Sequence, residues 1–261
     1  MLRSVLVLSL TVFLLLTLNV RSNAQFDDIK FRFGDYVFTA KYDTAEFTTR
    51  LRIKKKDKTI FNKIFLDRIL SIKDYDLNKD GKKEILIEMY SGGAHCCTSL
   101  YASEISGNGF VLSDSINWGN SFYEIEDIDN DGKYEIAGVN DMFAYAFTNY
   151  AESRFSLLIY GYENNKFTDI TGRFSSRIND NISGLRDELR EYTDTGFQCM
   201  GLNEETFNTE AGAVKAILAA IVADYNSLNE TSKGFELIDS VYNCPDKEKF
   251  KLTLKNDFHL K

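Results

Sequence analysis

Asp76-Leu77-Asn78-Lys79-Asp80-Gly81-Lys82-Lys83-Glu84-Ile85 and Asp127-Ile128-Asp129-Asn130-Asp131-Gly132-Lys133-Tyr134-Glu135-Ile136 carry one pattern twice, D-x-[DN]-x-D-G-x-x-E-I. An apolar, strand-like run precedes each copy, Ile69 to Ile72 and Phe122 to Ile125, and another follows each. The repeated unit is therefore strand, acidic loop, returning strand. Its oxygen-bearing side chains fall at the first, third, fifth and ninth positions around a glycine that permits a sharp turn. Ca²⁺ takes roughly 6–8 hard oxygen ligands at about 2.3–2.6 Å, and alternate residues of a tightly curled loop present them. Asp76, Asn78, Asp80 and Glu84 form one candidate set and Asp127, Asp129, Asp131 and Glu135 the other, with the backbone carbonyls of Lys82 and Lys133 completing each ring. The expected cofactor is two Ca²⁺ ions. Asp, Asn and Gly also favour solvated turns for backbone reasons alone. Two matching copies and the mutual repulsion of clustered carboxylates argue for the cation.

The loops are not EF-hands. That motif needs a bidentate Glu at its twelfth position, where these copies have Ile87 and Gly138. The pattern D-x-[DN]-x-D-G-x-x-[DE], followed by an apolar strand, instead resembles the calcium loops of FG-GAP or VCBS-type repeats, the blades of integrin-alpha-like β-propellers. The resemblance covers residues 60–170 and implies the same eight side chains as ligands. Two blades are apparent where closed propellers have about 4–8, so the expectation is an incomplete propeller-like arrangement. Such repeats serve in adhesion, surface binding and scaffolding, which implies an unidentified protein or glycan as ligand.

Outward from the loops, short runs rich in Phe, Tyr, Ile, Val and Thr predict antiparallel strands: Tyr36 to Thr39, Phe47 to Ile53, Thr59 to Phe65, Ile85 to Met89, Glu135 to Val139, Phe143 to Phe147, Phe155 to Tyr162 and Phe167 to Ile170. After residue 180 the period changes. Ser183 to Tyr192 and Phe235 to Val241 are helix candidates. Glu210 to Leu228 is a stronger one, with Val214, Ile217, Leu218, Ile221, Val222, Tyr225 and Leu228 on an apolar stripe read as core packing. The fold class is thus mainly β with a helical C-terminal part (α+β), divided as residues 25–180 and 181–261. The 261 residues, 44% hydrophobic and 27% charged, exclude a disordered chain and a polytopic membrane protein. A formal charge of −8, with no basic cluster beyond Lys54-Lys55-Lys56, argues against nucleic acid as a partner.

Residues 1–24 read as a cleaved signal peptide: Arg3 begins it, an apolar run extends from Val5 to Val20, and Ser22-Asn23-Ala24 supplies small residues before Gln25. The run is too short for a spanning helix, so a secreted or periplasmic chain without a membrane span is expected. Export favours disulfides among Cys96, Cys97, Cys199 and Cys244. Two arrangements are compatible with the sequence: Cys199 with Cys244 plus a vicinal Cys96–Cys97 bridge, or two bridges joining the halves. Ser91-Gly92-Gly93-Ala94-His95-Cys96-Cys97 is a candidate secondary site, a soft metal or redox locus, and resembles a segment of uncharacterised exported bacterial proteins. It supports the alternative of a metal-dependent or thiol-redox enzyme. Neighbours in an extended strand point to opposite faces, which places His95 badly to activate Cys96. No phosphate loop, G-x-S-x-G elbow or H-E-x-x-H occurs, so an enzyme is the less favoured reading.

Overall fold

The computed structural model describes residues 28–93, 96–106, 109–199 and 206–261; the expected signal peptide and His95 lie outside them. Among the described residues, twelve strands form three four-stranded antiparallel meanders. The first contains β1 (Ile29–Phe33), β2 (Tyr36–Asp43), β3 (Thr48–Lys55) and β4 (Lys58–Phe65). The second contains β5 (Arg68–Tyr75), β6 (Glu84–Tyr90), β7 (Thr98–Ser106) and β8 (Gly109–Gly119), and the third β9 (Tyr123–Glu126), β10 (Glu135–Asn140), β11 (Ser156–Glu163) and β12 (Lys166–Asp169). Four helices follow among the described residues: α1 (Ser175–Thr193), α2 (Glu210–Ser227), α3 (Thr231–Val241) and α4 (Lys247–Asn256). The mainly β architecture with a helical C-terminal part is as expected. The described residues show three open sheets and no closed barrel.

The sheets stack in chain order. Phe38, Leu51 and Ile53 of the first sheet share a core with Ile85, Ile87 and Met89 of β6. Leu86 of the same strand joins Leu100, Ile116 and Trp118 in a second core with Ile136 and Tyr162 of the third sheet. Strand β6 is therefore sandwiched, which explains why its apolar run is continuous rather than alternating. The helices cover the outer side of the third sheet, α1 and α2 both meeting β11.

Helix α2 departs from the expected stripe: every residue from Ala211 to Asp224 is buried. A helix hydrophobic all round belongs at the centre of a core, and this one is surrounded by α1, α3, β11 and the segment around Phe143. Gly234 on α3 lets that helix come close, since a Cβ there would lie 2.8 Å from Val222 Cα. The two ionisable residues within the buried stretch of α2 have partners. Lys215 is bonded to Asp246 at 2.8 Å. Asp224 accepts from Leu157 N at 2.9 Å and Asn181 Nδ2 at 2.7 Å.

Four expectations are corrected. Phe143 to Phe147 is not a strand: Asn140 caps a 3₁₀ turn over Asp141–Phe143, and Tyr145 has φ 59°. Both Phe143 and Phe147 turn into the helical core, while Tyr145 stays 45% exposed. The first helix begins at Ser175 rather than Ser183, because Ile178 and Ile182 extend its apolar stripe upstream; the β part accordingly ends before residue 180. Helix α4 and the pair β7–β8 add to the sequence reading. Three sheets replace the two blades expected, the first joining β1 and β2 through Gly34 and Asp35 where the others have acidic loops.

Candidate metal centre

Each acidic loop joins the first two strands of its sheet, β5 to β6 and β9 to β10. The chain curls because acidic side chains hold its own backbone. Asp76 Oδ1 and Oδ2 accept from Asp80 N and Gly81 N, both at 3.0 Å. Asp127 does the same for Asp131 N and Gly132 N, again at 3.0 Å. Asn78 and Asp129 accept from Asp80 N and Asp131 N at 3.1 and 3.3 Å. Asp80 and Asp131 reach Lys82 N and Lys133 N at 2.8 and 2.7 Å. Glu84 and Glu135 fold back onto Leu77 N and Ile128 N, both at 2.9 Å. The two loops thus make the same hydrogen bonds, position for position. Both also place their fourth residue, Lys79 or Asn130, at φ 60° or 58°, and the glycine at φ 84° or 88°, a left-handed conformation glycine adopts without steric cost.

Asp127, Asp129 and Glu135 present oxygens that all lie within 4.8 Å of one another. Ligands of one Ca²⁺ cannot be more than about 5 Å apart when each is about 2.5 Å from the ion, so this set fits. Asp131 lies outside the trio, its Oδ1 engaged by Lys133 N. In the first loop Asn78 stands where the second has Asp129, leaving that loop one carboxylate fewer. Glu84 and Glu135 are buried, 6% and 4% exposed. Desolvation pushes both carboxyls up from the ordinary glutamate value, the nearby aspartates push the same way, and the backbone N–H bonds oppose. Two buried acids amid negative charge are groups that a cation would relieve.

The loops lie side by side, which their spacing in sequence did not reveal. Tyr134 N donates to Leu77 O at 3.0 Å, and the rings of Tyr75 and Tyr134 meet edge to face at 5.5 Å. The Lys79 ammonium donates to Asp131 O. One loop's lysine therefore rests on the other's main chain.

At the opposite end of the second sheet, Cys96 and Cys97 are joined to each other, as are Cys199 and Cys244, and among the described residues no cysteine is free. The structure thus adopts the first of the two arrangements. Ser91 holds Cys97 by two bonds: its N–H donates to Cys97 O at 3.1 Å and its hydroxyl accepts from Cys97 N at 2.8 Å. Tyr90 donates to Gly93 O.

No family model matches the chain, and no solved structure matches it. A probable thylakoid lumen protein of Synechocystis sp. is 24% identical over 172 residues, 64% of this chain and 46% of that protein. An uncharacterised protein of Sinorhizobium fredii is 30% identical over 87 residues, 33% of this chain and 14% of the relative. The chain thus spans less than half the length of either curated relative.

Proposed function

We propose that this chain is an exported calcium-binding β-repeat protein of the FG-GAP or VCBS kind, in which two ions fix two strand-loop-strand units and the protein serves a structural or binding role. The observation that carries the reading is the residue-by-residue identity of the hydrogen bonds in the two loops. Asp76, Asn78, Asp80 and Glu84 would hold one ion and Asp127, Asp129, Asp131 and Glu135 the other, with the Lys82 and Lys133 carbonyls. The cation supplies positive charge where carboxylates cluster, so its binding free energy becomes folding free energy. Four-stranded meanders with the loop between their first two strands support the blade-like likeness. Among the described residues no helix is long and apolar enough to cross a membrane; that fact, the leader-like N-terminal sequence and the lumenal relative support export to a secreted or periplasmic location.

Calorimetric titration of calcium into the mature chain, with thermal melts in calcium and in chelator, tests the reading. Two sites, one abolished by Asp80→Ala and the other by Asp131→Ala, are expected. Absence of calcium-dependent heat and of any melting shift up to several millimolar, about the weak limit for extracellular modules, would reduce both loops to turns.

The vicinal cysteine pair, with Cys96 exposed and Cys97 half-buried, favours a second reading, a thiol-redox protein working at His95, Cys96 and Cys97. Alkylation of native protein after mild reduction, with a readily regenerated disulfide, would support it; resistance of the pair to reduction would count against it.

A further inference from the structure

The outer face of the first sheet is cationic. Side chains alternate across a strand, so Phe31, Phe38, Leu51 and Ile53 point into the first core. Lys30, Arg32, Lys41, Arg50, Arg52 and Lys54 point the other way, and all six are exposed. The pairing register sets them in three rows. Arg32, Val37, Lys54 and Thr59 lie side by side across β1 to β4, as do Lys30, Thr39, Arg52 and Asn62, and Lys41, Arg50 and Ile64 form the third row on β2 to β4. With neighbouring strands about 4.8 Å apart and alternate residues about 6.7 Å apart, the six cations rise from a patch of backbone of roughly 10 by 13 Å. Among the described residues the one ion pair on this face joins Lys41 to Asp28 at 2.8 Å. Alternation with Phe, Leu and Ile spreads these cations along the sequence, so no basic run announces them.

Nothing in the fold itself gains from this arrangement. Lys41 and Arg50 are direct cross-strand partners, and like charges directly opposite one another destabilise a sheet. Arg50, Arg52 and Lys54 follow one another along the same side of β3. The acids that would neutralise them lie elsewhere: residues 28–65 carry 10 Lys and Arg against 5 Asp and Glu, whereas residues 66–261 carry 19 against 33. The negative charge of the chain therefore sits on the other two sheets and the helices. Stacked sheets are about 10 Å apart, and charges are screened over about 8 Å at physiological ionic strength. An anionic surface that approaches the first sheet thus meets the basic face and not the acidic body behind it.

The shape and the margin of the face select the partner. A four-stranded sheet is about 15 Å across, too broad for the roughly 12 Å major groove of DNA. None of the residues in the three rows is aromatic, so unpaired bases find no ring to stack on. Exposed apolar side chains border the face instead, at the end where β2 turns into β3 and β4 leaves the sheet. Phe47 is 69% exposed there and Leu66 83%, and Ile64, on the face itself, 49%. A plane of cations with an apolar margin matches the headgroup layer of a bilayer, where basic groups meet lipid phosphates and apolar tips reach the acyl boundary. We infer that the outer face of the first sheet, built from Lys30, Arg32, Lys41, Arg50, Arg52 and Lys54, docks the folded chain on an anionic phospholipid membrane. This surface shares no residue with the acidic loops.

The test is co-sedimentation of the mature chain with vesicles of phosphatidylcholine alone and of equal parts phosphatidylcholine and phosphatidylglycerol. Binding to the second kind only is expected, lost as salt rises from about 0.1 M to about 1 M. Each Lys or Arg at an anionic membrane surface is worth about fivefold in affinity. Arg50→Gln with Arg52→Gln, and separately Lys30→Gln with Lys54→Gln, should therefore each weaken binding about 25-fold. Their melting temperatures should hold or rise, because like charges are removed from an exposed face. Lys249→Gln with Lys261→Gln removes the same charge from exposed positions at the helical end and should leave binding unchanged. Equal binding to the two kinds of vesicle, binding indifferent to both basic pairs, or equal weakening by the helical pair would overturn the inference. So would retention of a duplex oligonucleotide through the same residues without binding to vesicles. The calcium titration reports on the acidic loops, so either result stands without the other.

Discussion

Asp224 should make stability fall as the pH rises from acid to neutral, and Asp224→Asn should remove that fall. The carboxyl is fully buried on α2 and has two donors, Leu157 N and Asn181 Nδ2, but no cation among its partners. Desolvation raises it from 3.8 to about 7, with both hydrogen bonds opposing. The folded chain therefore keeps a proton that the unfolded chain releases near pH 4, and between those values the native state binds more protons. Stability from this group is fully present below the unfolded value and is lost as pH rises through the folded one. About three pH units at 1.36 kcal/mol each gives a loss of about 4 kcal/mol, of which about half falls between roughly pH 5.5 and 8.5. Asparagine cannot titrate. It can still accept from Leu157 N, and re-pairing with Asn181 costs about 1 kcal/mol at every pH. Urea denaturation followed by far-ultraviolet circular dichroism, at several pH values in one chelator-containing buffer, gives the wild-type minus Asn difference. The acidic loops are common to both proteins and cancel. A difference that moves by about 2 kcal/mol against the wild type across that window is expected; curves that stay parallel would show that Asp224 does not hold a proton near neutrality, and the argument from its burial would fall.

Asp246→Ala should cost about 3 kcal/mol or more in denaturant melts, because it leaves the Lys215 ammonium, 7% exposed and 6.0 Å from the rings of Phe147 and Phe250, without its counter-charge and bonded only to the Thr206 hydroxyl; a loss under about 1 kcal/mol would mean that water reaches the amine. Gly234→Ala should destabilise by about 1–3 kcal/mol by forcing α3 off α2, which a chemical melt would check. Replacing Cys199 and Cys244 by Ser opens a bridge across a sequence separation of 45 and should cost up to about 4 kcal/mol. The same change at Cys96 and Cys97, whose separation is 1, frees almost no chain and should leave the melting temperature nearly unmoved; equal losses from the two pairs would contradict this chain-entropy account.

The sequence by itself determined whatever closes within a few residues. Both acidic loops were legible because their hydrogen bonds run between residues two to seven apart, so the spacing of Asp, Asn, Gly and Glu is the structure. Helix α2 was legible from its apolar run, and the strands other than β7 and β8 from their alternation and turns. Only the tertiary structure decided what those elements meet. The burial of α2 on every side depends on helices and a sheet from distant parts of the chain. The partners of Asp224 lie 43 and 67 residues away, which no local pattern announces. Phe143 to Phe147 alternates like a strand, yet the Asn140 cap and the left-handed Tyr145 turn it into a helical corner. The contact of Lys79 with the second loop arises only where two sheets stack, because long-range packing, not local geometry, sets which sheet ends face each other.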